Sequence, residues 1–485
     1  MNYYIGIDLG TSSLKGILCD VKGNIIRQTS ADYEVYYPQN GWTEQNPNDW
    51  LIALRKVMKY LSRDCSHSVK GISFGGQMHG LVVLDNKDNV IRPCILWNDG
   101  RTEKQTEYLN NVIGTQTLSE LTGNIAFAGF TAPKLLWLYE NERGNFDRIS
   151  KIMLPKDYLA YMLSGVFATD YSDASGMLLL DVKNKCWSQK MCEICRINRN
   201  QLPTLYESYQ VIGSLKKQFA EEFGLSDNVK IIIGAGDNAA AAIGTGTVNN
   251  GSCNVSLGTS GTVFIAQDEF SVDKANALHS FAHANGRWHL MGCILSAASA
   301  RKWWLEDILG TDDYQADEQA VAEADTQEII FLPYLSGERS PHNDVNAKGA
   351  FVGLTSTATK AQMGRAVMEG VAFAIRDCLE VALLNRVKPE CTNLCGGGAR
   401  SATWRQIFAD VLDLPVNILT TEQGPSFGAA MLAMVGCCEY DNVQSAAQAI
   451  VSVKQTVYPE KQRVKRYNEK YAKFKRLYPL LKQLY

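Results

Sequence analysis

Two short bends built from glycine, serine and threonine carry the first chemical suggestion in this sequence. One is Leu9-Gly10-Thr11-Ser12-Ser13; the other, past the midpoint, is Leu257-Gly258-Thr259-Ser260-Gly261-Thr262. Small residues let the main chain come close to an anion, so the N–H groups and hydroxyls of such bends can cradle phosphate oxygens; two plain hairpins would look the same. Neither bend is a Walker A loop, because no Gly-Lys-Ser/Thr ending follows Gly10, and no Gly-x-Gly-x-x-Gly opens a helix after a strand. Asp8 stands at the mouth of the first bend. A carboxylate there can serve as a Mg2+ contact through water, or be a solvated strand end. Asp237 follows the apolar run Ile231-Ile232-Ile233-Gly234-Ala235-Gly236 and precedes Asn238 and an alanine-rich helix. A carboxylate at the carboxyl end of a strand, in a crevice between α/β lobes, is placed to act as general base toward an attacking hydroxyl; it can also cap the helix, and the two roles are compatible. Cys395-Gly396-Gly397-Gly398-Ala399-Arg400 offers a flat backbone surface for a nucleotide's base or ribose, and Gly424–Ala430 is a further helix entry; either reads equally as a connection.

Positioning these residues takes alternating strands and helices. Tyr3–Asp8 reads as a strand, Leu14–Cys19 as its hairpin partner, and Ile25-Ile26 as the start of a third. A helix follows from about Asn48 to Ser62, capped by Pro47 and Asn48, and the strand Gly71–Phe74 enters Gly75-Gly76-Gln77-Met78-His79-Gly80. The class is α/β. The tetrapeptide Leu-Gly-Thr-Ser at Leu9–Ser12 returns at Leu257–Ser260, each time between apolar strands, which points to two lobes of related design divided in the turn-rich stretch 245–252. Lys461–Tyr485 is basic, with Tyr467, Tyr471, Phe474, Leu477 and Leu481 at helical intervals, a stripe expected to fold onto its own domain.

Composition narrows the function classes. The 485 residues fit two large domains, and 46% hydrophobic with 20% charged residues is a globular balance. A net charge of −3 leaves no cationic surplus for nucleic acid. Neither a basic leader nor an uninterrupted long apolar run is present, so no export and no membrane span is expected. The 13 cysteines are scattered through apolar runs, the usage of a reducing cytoplasm. Cys192-x-x-Cys195 lacks a second pair at zinc spacing, and His279, His283 and His289 read as strand residues around the Asn285-Gly286 turn, without a fourth ligand.

Two longer segments add a resemblance. Gly129-Phe130-Thr131-Ala132-Pro133-Lys134-Leu135-Leu136-Trp137 through Asn141, and Gly349–Leu354 through Gln362-Met363 to Ala366–Glu369, resemble the FGGY family of carbohydrate kinases. The likeness runs from Asp8 to about Ala430. It implies a two-lobed actin-like ATPase fold with a ribonuclease-H-like core in each lobe, residues 1–247 binding sugar, residues 248–485 binding nucleotide, and ATP with Mg2+ in the interlobe cleft. Gly76–Gly80, Leu96-Trp97-Asn98-Asp99-Gly100-Arg101, Gly286–His289 and Tyr334–His342 are similar to the branch of that family acting on D-xylulose; the glycerol-phosphorylating branch carries an Arg-Glu-bearing segment in place of Met78-His79. The resemblance implies Asp237 as general base and Asp8 near the Mg2+-bound phosphates. It implies Gln77, Met78, His79, Asp99 and Asn238 at the sugar, and Thr11, Ser12, Gly258, Thr259, Ser260, Thr262, Gly397, Gly398 and Ala399 around ATP. The expected activity is ATP-dependent phosphorylation of D-xylulose on its 5-hydroxyl. The alternatives are another ketose, polyol or aldonate, or a non-catalytic sugar sensor. A homodimer would be usual for the resemblance, with no interface legible.

Overall fold

Short Gly/Ser bends between apolar strands force tight antiparallel returns, and the first sheet begins with two of them. In the computed structural model, which describes residues 2–65, 68–325, 328–385, 387–421 and 424–485, Tyr3–Leu9, Ser13–Asp20 and Ile25–Asp32 form an antiparallel meander. The Gly10 N–H donates to the Ser13 carbonyl at 3.0 Å and closes the first bend. Val69–Gly76 lies parallel to Tyr3–Leu9 on its other side, and Lys230–Ile232 and Ala235–Gly236 run parallel to Val69–Gly76 in turn. Val211–Ser214 is the antiparallel far edge.

A second sheet repeats this plan. Cys253–Leu257 and Gly261–Gln267 make the hairpin, extended by Trp288–Ile294 and His279–Ala282; on the opposite flank Thr392–Cys395 and Val416–Leu419 add in parallel, edged by Val453–Val457. Each sheet has 7 strands, and the repeated Leu-Gly-Thr-Ser turns the same corner in both. This is the two-lobed α/β architecture the sequence implies. Its functional consequence is directional: parallel neighbours deliver their carboxyl ends to one side of a sheet.

Helices seal the sheets. Pro47–Leu61 buries Trp50, Leu54, Val57, Met58 and Leu61 along one stripe. Its cap is Asn46, not Pro47 or Asn48: the Asn46 side chain accepts from the Asn48 N–H at 3.1 Å, and Pro47 takes the first helical position, where a missing N–H costs nothing. The 247/248 division falls in the segment between the sheets, yet two later helices, Gly424–Gly436 and Val443–Ile450, pack with Tyr4, Ile17 and Ile232 of the first sheet. Contact there is backbone to backbone. A Cβ on Gly6 would lie 1.9 Å from the Ser426 carbonyl oxygen, and one on Gly428 would lie 1.7 Å from that of Ala240, so only glycine fits at either position. The basic helix Lys461–Leu481 buries Tyr467, Tyr471, Phe474 and Tyr478 in the core of the second lobe. Among the described residues no helix is long and apolar enough to cross a membrane.

Candidate active site

Three parallel strand ends converge in the first lobe. Asp8 lies at the end of Tyr3–Leu9, Gln77-Met78-His79 follow Val69–Gly76, and Asp237-Asn238 follow Ala235–Gly236. Asp237 is the first residue of the helix Asp237–Gly244. One of its carboxylate oxygens, Oδ1, accepts from the Asn238 backbone N–H at 2.7 Å and side-chain amide at 2.9 Å. Its other oxygen takes no bond from the described residues. Asp8, His79, Asp237 and Asn238 are all partly exposed.

His79 is held unusually firmly. Its backbone is left-handed, φ 69°, an uncommon conformation for a residue with a Cβ. The Lys134 ammonium (2.8 Å) and the Thr131 hydroxyl (3.1 Å) both donate to its carbonyl, and Phe130 stacks on its ring with centroids 4.6 Å apart. Nδ1 lies 2.7 Å from the Gly176 carbonyl. A carbonyl can only accept, so Nδ1 carries the proton and Nε2 presents a lone pair, suited to receive a hydrogen bond from a hydroxyl. Burial, with Lys134 and Arg339 adding to it against the Gly176 bond, pushes the His79 pKa down to about 3, so this tautomer is neutral throughout the physiological range.

Other expected sugar contacts are turned inward. Asp99 is sealed: the Arg101 guanidinium donates to both its oxygens at 2.7 and 2.8 Å, the Thr43 N–H adds a bond, and Trp42 and Trp137 flank Arg101. With no free acceptor it buttresses the wall instead of touching a ligand. Gln77 is buried, donating to Gln45 Oε1 at 2.9 Å, and Gln45 in turn holds Trp50 Nε1 and the Thr11 carbonyl. The Gln77 Oε1 is itself buried and takes no hydrogen bond from the described residues. Met78 is buried with its sulfur wedged against Gly236, beneath Asp237. Thr11 accepts from Trp97 Nε1 at 3.0 Å, which fastens the first bend, with its exposed Ser12, to that tryptophan.

In the second lobe the two Gly-rich segments meet as their strands do. Cys253–Leu257 and Thr392–Cys395 are parallel neighbours, so Gly258 and Gly396 leave from adjacent ends. Gly396 has φ 87°, and a Cβ there would fall within 2.7–3.0 Å of the Leu257 backbone. A cavity of about 900 Å³ opens beside them, lined by Thr259, Gly397 and Gly398 together with Arg301, Tyr314, Glu318 and Trp404. Ser260 completes the bend, Thr262 lies on the adjoining strand, and Ala399 is buried in the turn below the cavity wall. The volume suits a nucleotide.

Residues 3–244 match the N-terminal domain, and residues 253–437 the C-terminal domain, of the FGGY family of carbohydrate kinases. The chain belongs to this family. A xylulose kinase of Lactococcus lactis is 40% identical over 487 residues, covering 99% of this chain and 97% of that one. A xyloylose (xylulose) kinase structure from Brucella ovis is 38% identical with a TM-score of 0.95 and full coverage of both chains. A gluconate kinase structure from Lactobacillus acidophilus, 27% identical, also has a TM-score of 0.95 over 99% of this chain and 98% of that one.

In this carbohydrate kinase two of the acids raised by burial stand at those first-lobe strand ends. Burial raises Asp237 to about 6 against the two Asn238 bonds. Asp8 rises to about 7, first through burial and then through the charge of Asp237, with Lys15 opposing. The kinase also depends on residues that carried no signal of their own. Gly176 is one: a Cβ there would lie 2.4 Å from His79 Cε1 and Nδ1. Gly176→Ala is therefore expected to rotate the imidazole off its carbonyl, raising the sugar KM about 10-fold or more with the ATP KM within about two-fold. Equal rises in both would show a general loosening instead.

Proposed function

We propose that this chain transfers the γ-phosphoryl group of ATP to the 5-hydroxyl of D-xylulose. The observation that carries the proposal is the placement of Asp237, with one oxygen fixed by Asn238 and the other free, at the end of a strand paired in parallel with the one that leads into Gln77-Met78-His79. Support for the sugar comes from the whole-length similarity to proteins named xylulose kinase. Residues 1–247 hold the sugar and 248–485 the nucleotide. His79 Nε2 and Asn238 orient the ketose. Asp237 accepts the hydroxyl proton as that oxygen forms its bond to the γ-phosphorus, and the bond from γ-phosphorus to the β,γ-bridging oxygen breaks to release ADP. Such transfer is chiefly positioning and charge neutralisation. The Gly258–Ser260 bend and Gly397-Gly398 receive the nucleotide, and the first bend, through Thr11 and Ser12, faces its terminal phosphates.

Mg2+ fits the carboxylates present. Asp8 accepts no hydrogen bond from the described residues and is crowded by the charge of Asp237, an arrangement a divalent cation relieves. No group of three or more His, Cys, Asp or Glu forms a cage among the described residues, so Asp8 would hold the ion mainly through ATP oxygens and water. Bound there, Mg2+ supplies neutralisation of the phosphate charge. The 13 cysteines form no disulfide among the described residues, which fits a reducing cytoplasm.

A coupled ADP-release assay over D-xylulose, D-ribulose, glycerol and D-gluconate tests the substrate. D-Xylulose is expected to give the highest kcat/KM, by about 10-fold or more. A preference for gluconate would redirect the reading to an aldonate, and sugar-independent background with all four would sink it.

A further inference from the structure

Arg339 stands on a rigid pedestal in the second lobe and turns its guanidinium toward the first. Its N–H donates to the buried Glu338 carboxylate at 2.8 Å, the same Glu338 oxygen accepts the Leu295 N–H at 2.9 Å, and the next N–H, of Ser340, donates to the Cys293 carbonyl at 2.9 Å. The Arg339 carbonyl accepts from the Asn343 N–H at 2.6 Å. The backbone is thus clamped on both sides. The guanidinium, by contrast, forms no hydrogen bond and no ion pair among the described residues. It lies over the ring of Phe127, 5.4 Å from the centroid, in the opposite lobe. Phe127 packs on Phe130 at 5.3 Å, Phe130 stacks on His79, and His279 completes the aromatic cluster at 5.1 Å from Phe127. Arginines of comparable burial are matched: Arg101 by Asp99 and Glu44, Arg301 by Asp317 and Glu318, Arg365 by Glu369.

A permanently charged fork of donors with no acceptor in reach is costly to leave idle in a half-buried position. What it lacks is an acceptor oxygen. Arg339 is not among the residues lining the second-lobe cavity, and its guanidinium lies over Phe127, which packs on the Phe130 that stacks on His79, so the acceptor belongs to the sugar side. A ligand lodged between it and His79 would give a hydroxyl proton to Nε2 and offer carbonyl or hydroxyl oxygens to the guanidinium. A polyhydroxy ketone has both.

We propose that Arg339, reaching across from the C-terminal half, is a sugar-binding residue that completes the ketose site opposite His79. The sugar site is then built by both lobes, and closing them brings Arg339 onto the substrate. This rests on the reading of His79 as a sugar contact. Arg339→Met and Arg339→Lys separate the possibilities by steady-state kinetics with D-xylulose and ATP varied in turn, alongside thermal melts. Both variants are expected to raise the sugar KM about 10- to 100-fold, because a lysine keeps the charge but not the fork, with the ATP KM within about two-fold and the melting temperature unchanged. Isothermal titration with D-xylulose alone should show the same loss. An unchanged sugar KM overturns the proposal, as does a rise in the ATP KM alone, which would make Arg339 a phosphate contact. A wild-type chain inactive on D-xylulose but active on another ketose of the panel overturns the substrate and not the residue; the variants are then read on that ketose with the same two outcomes.

Discussion

Asp237→Asn is expected to lower kcat for D-xylulose by about 10²- to 10⁴-fold while moving the KM values for sugar and ATP only a few-fold. Asparagine keeps an acceptor oxygen for the two Asn238 donors, so the turn at the start of Asp237–Gly244 survives. It removes only basicity. The pH profile adds a second signature. With Asp237 raised to about 6 by burial, the wild-type kcat/KM should fall as pH drops through about 6, because the protonated carboxyl no longer accepts the hydroxyl proton. The residual Asp237→Asn rate should lack that limb. A variant that retains near wild-type turnover, or that keeps the acid limb, removes Asp237 from the reaction.

Where a residue's role follows from where its strand stops, the sequence is a good guide. Asp8 and Asp237 end apolar runs at glycine exits, and the parallel order of both sheets sends those ends to one side. The Gly258 and Gly396 segments are legible for the same reason. Facing direction within a motif is another matter. Asp99 lies three residues after Leu96 in a polar stretch, and the pattern alone does not reveal that Arg101, two residues on, consumes both its oxygens. Gln77 lies two residues before His79, yet its amide joins a buried chain with Gln45 while His79 is partly exposed. Long-range partners leave still less trace. Arg301, Tyr314 and Glu318 reach the second-lobe cavity from the helices Ala298–Lys302 and Tyr314–Glu323 without signature, and Gly424–Gly436 packs on the distant strand Tyr3–Leu9 because the glycine at 6 permits it. Lys134 and Arg339 stood in segments that resemble the family, but their tasks, gripping the His79 carbonyl and facing the opposite lobe, follow from three-dimensional neighbours alone.

The largest stability effect is expected at Lys156. Its side chain is fully buried, with Nζ 2.6 Å from Asp157, 2.8 Å from Asp170 and 3.5 Å from Asp173, one ammonium among three carboxylates. The cluster lies directly under the turns that lead to Gln77 and Asp237: a Cβ on Gly76 would meet Lys156 Cβ at 2.7 Å, and Asp170 holds the Ser172 hydroxyl, whose oxygen accepts the Gly236 N–H at 3.2 Å. Lys156→Met keeps most of the volume and deletes the only cation, leaving uncompensated buried charge, a change worth about 3–5 kcal/mol. Thermal melting should drop by on the order of 6–15 °C. Burial already holds Asp157 above its ordinary carboxylate value and Asp173 well above it. Both protons therefore stay on in the folded chain at pH values where the unfolded chain has lost them, so stability falls as pH climbs above about 4. Without the ammonium that decline should steepen, making the Lys156→Met deficit smallest near pH 4 and largest at neutral pH. Asp173→Asn, which trades a carboxyl that burial pushes toward its protonated form for a neutral amide, should cost under about 1 kcal/mol. A deficit independent of pH, or Asp173→Asn as damaging as Lys156→Met, would mean that packing and not charge holds this floor beneath Asp237.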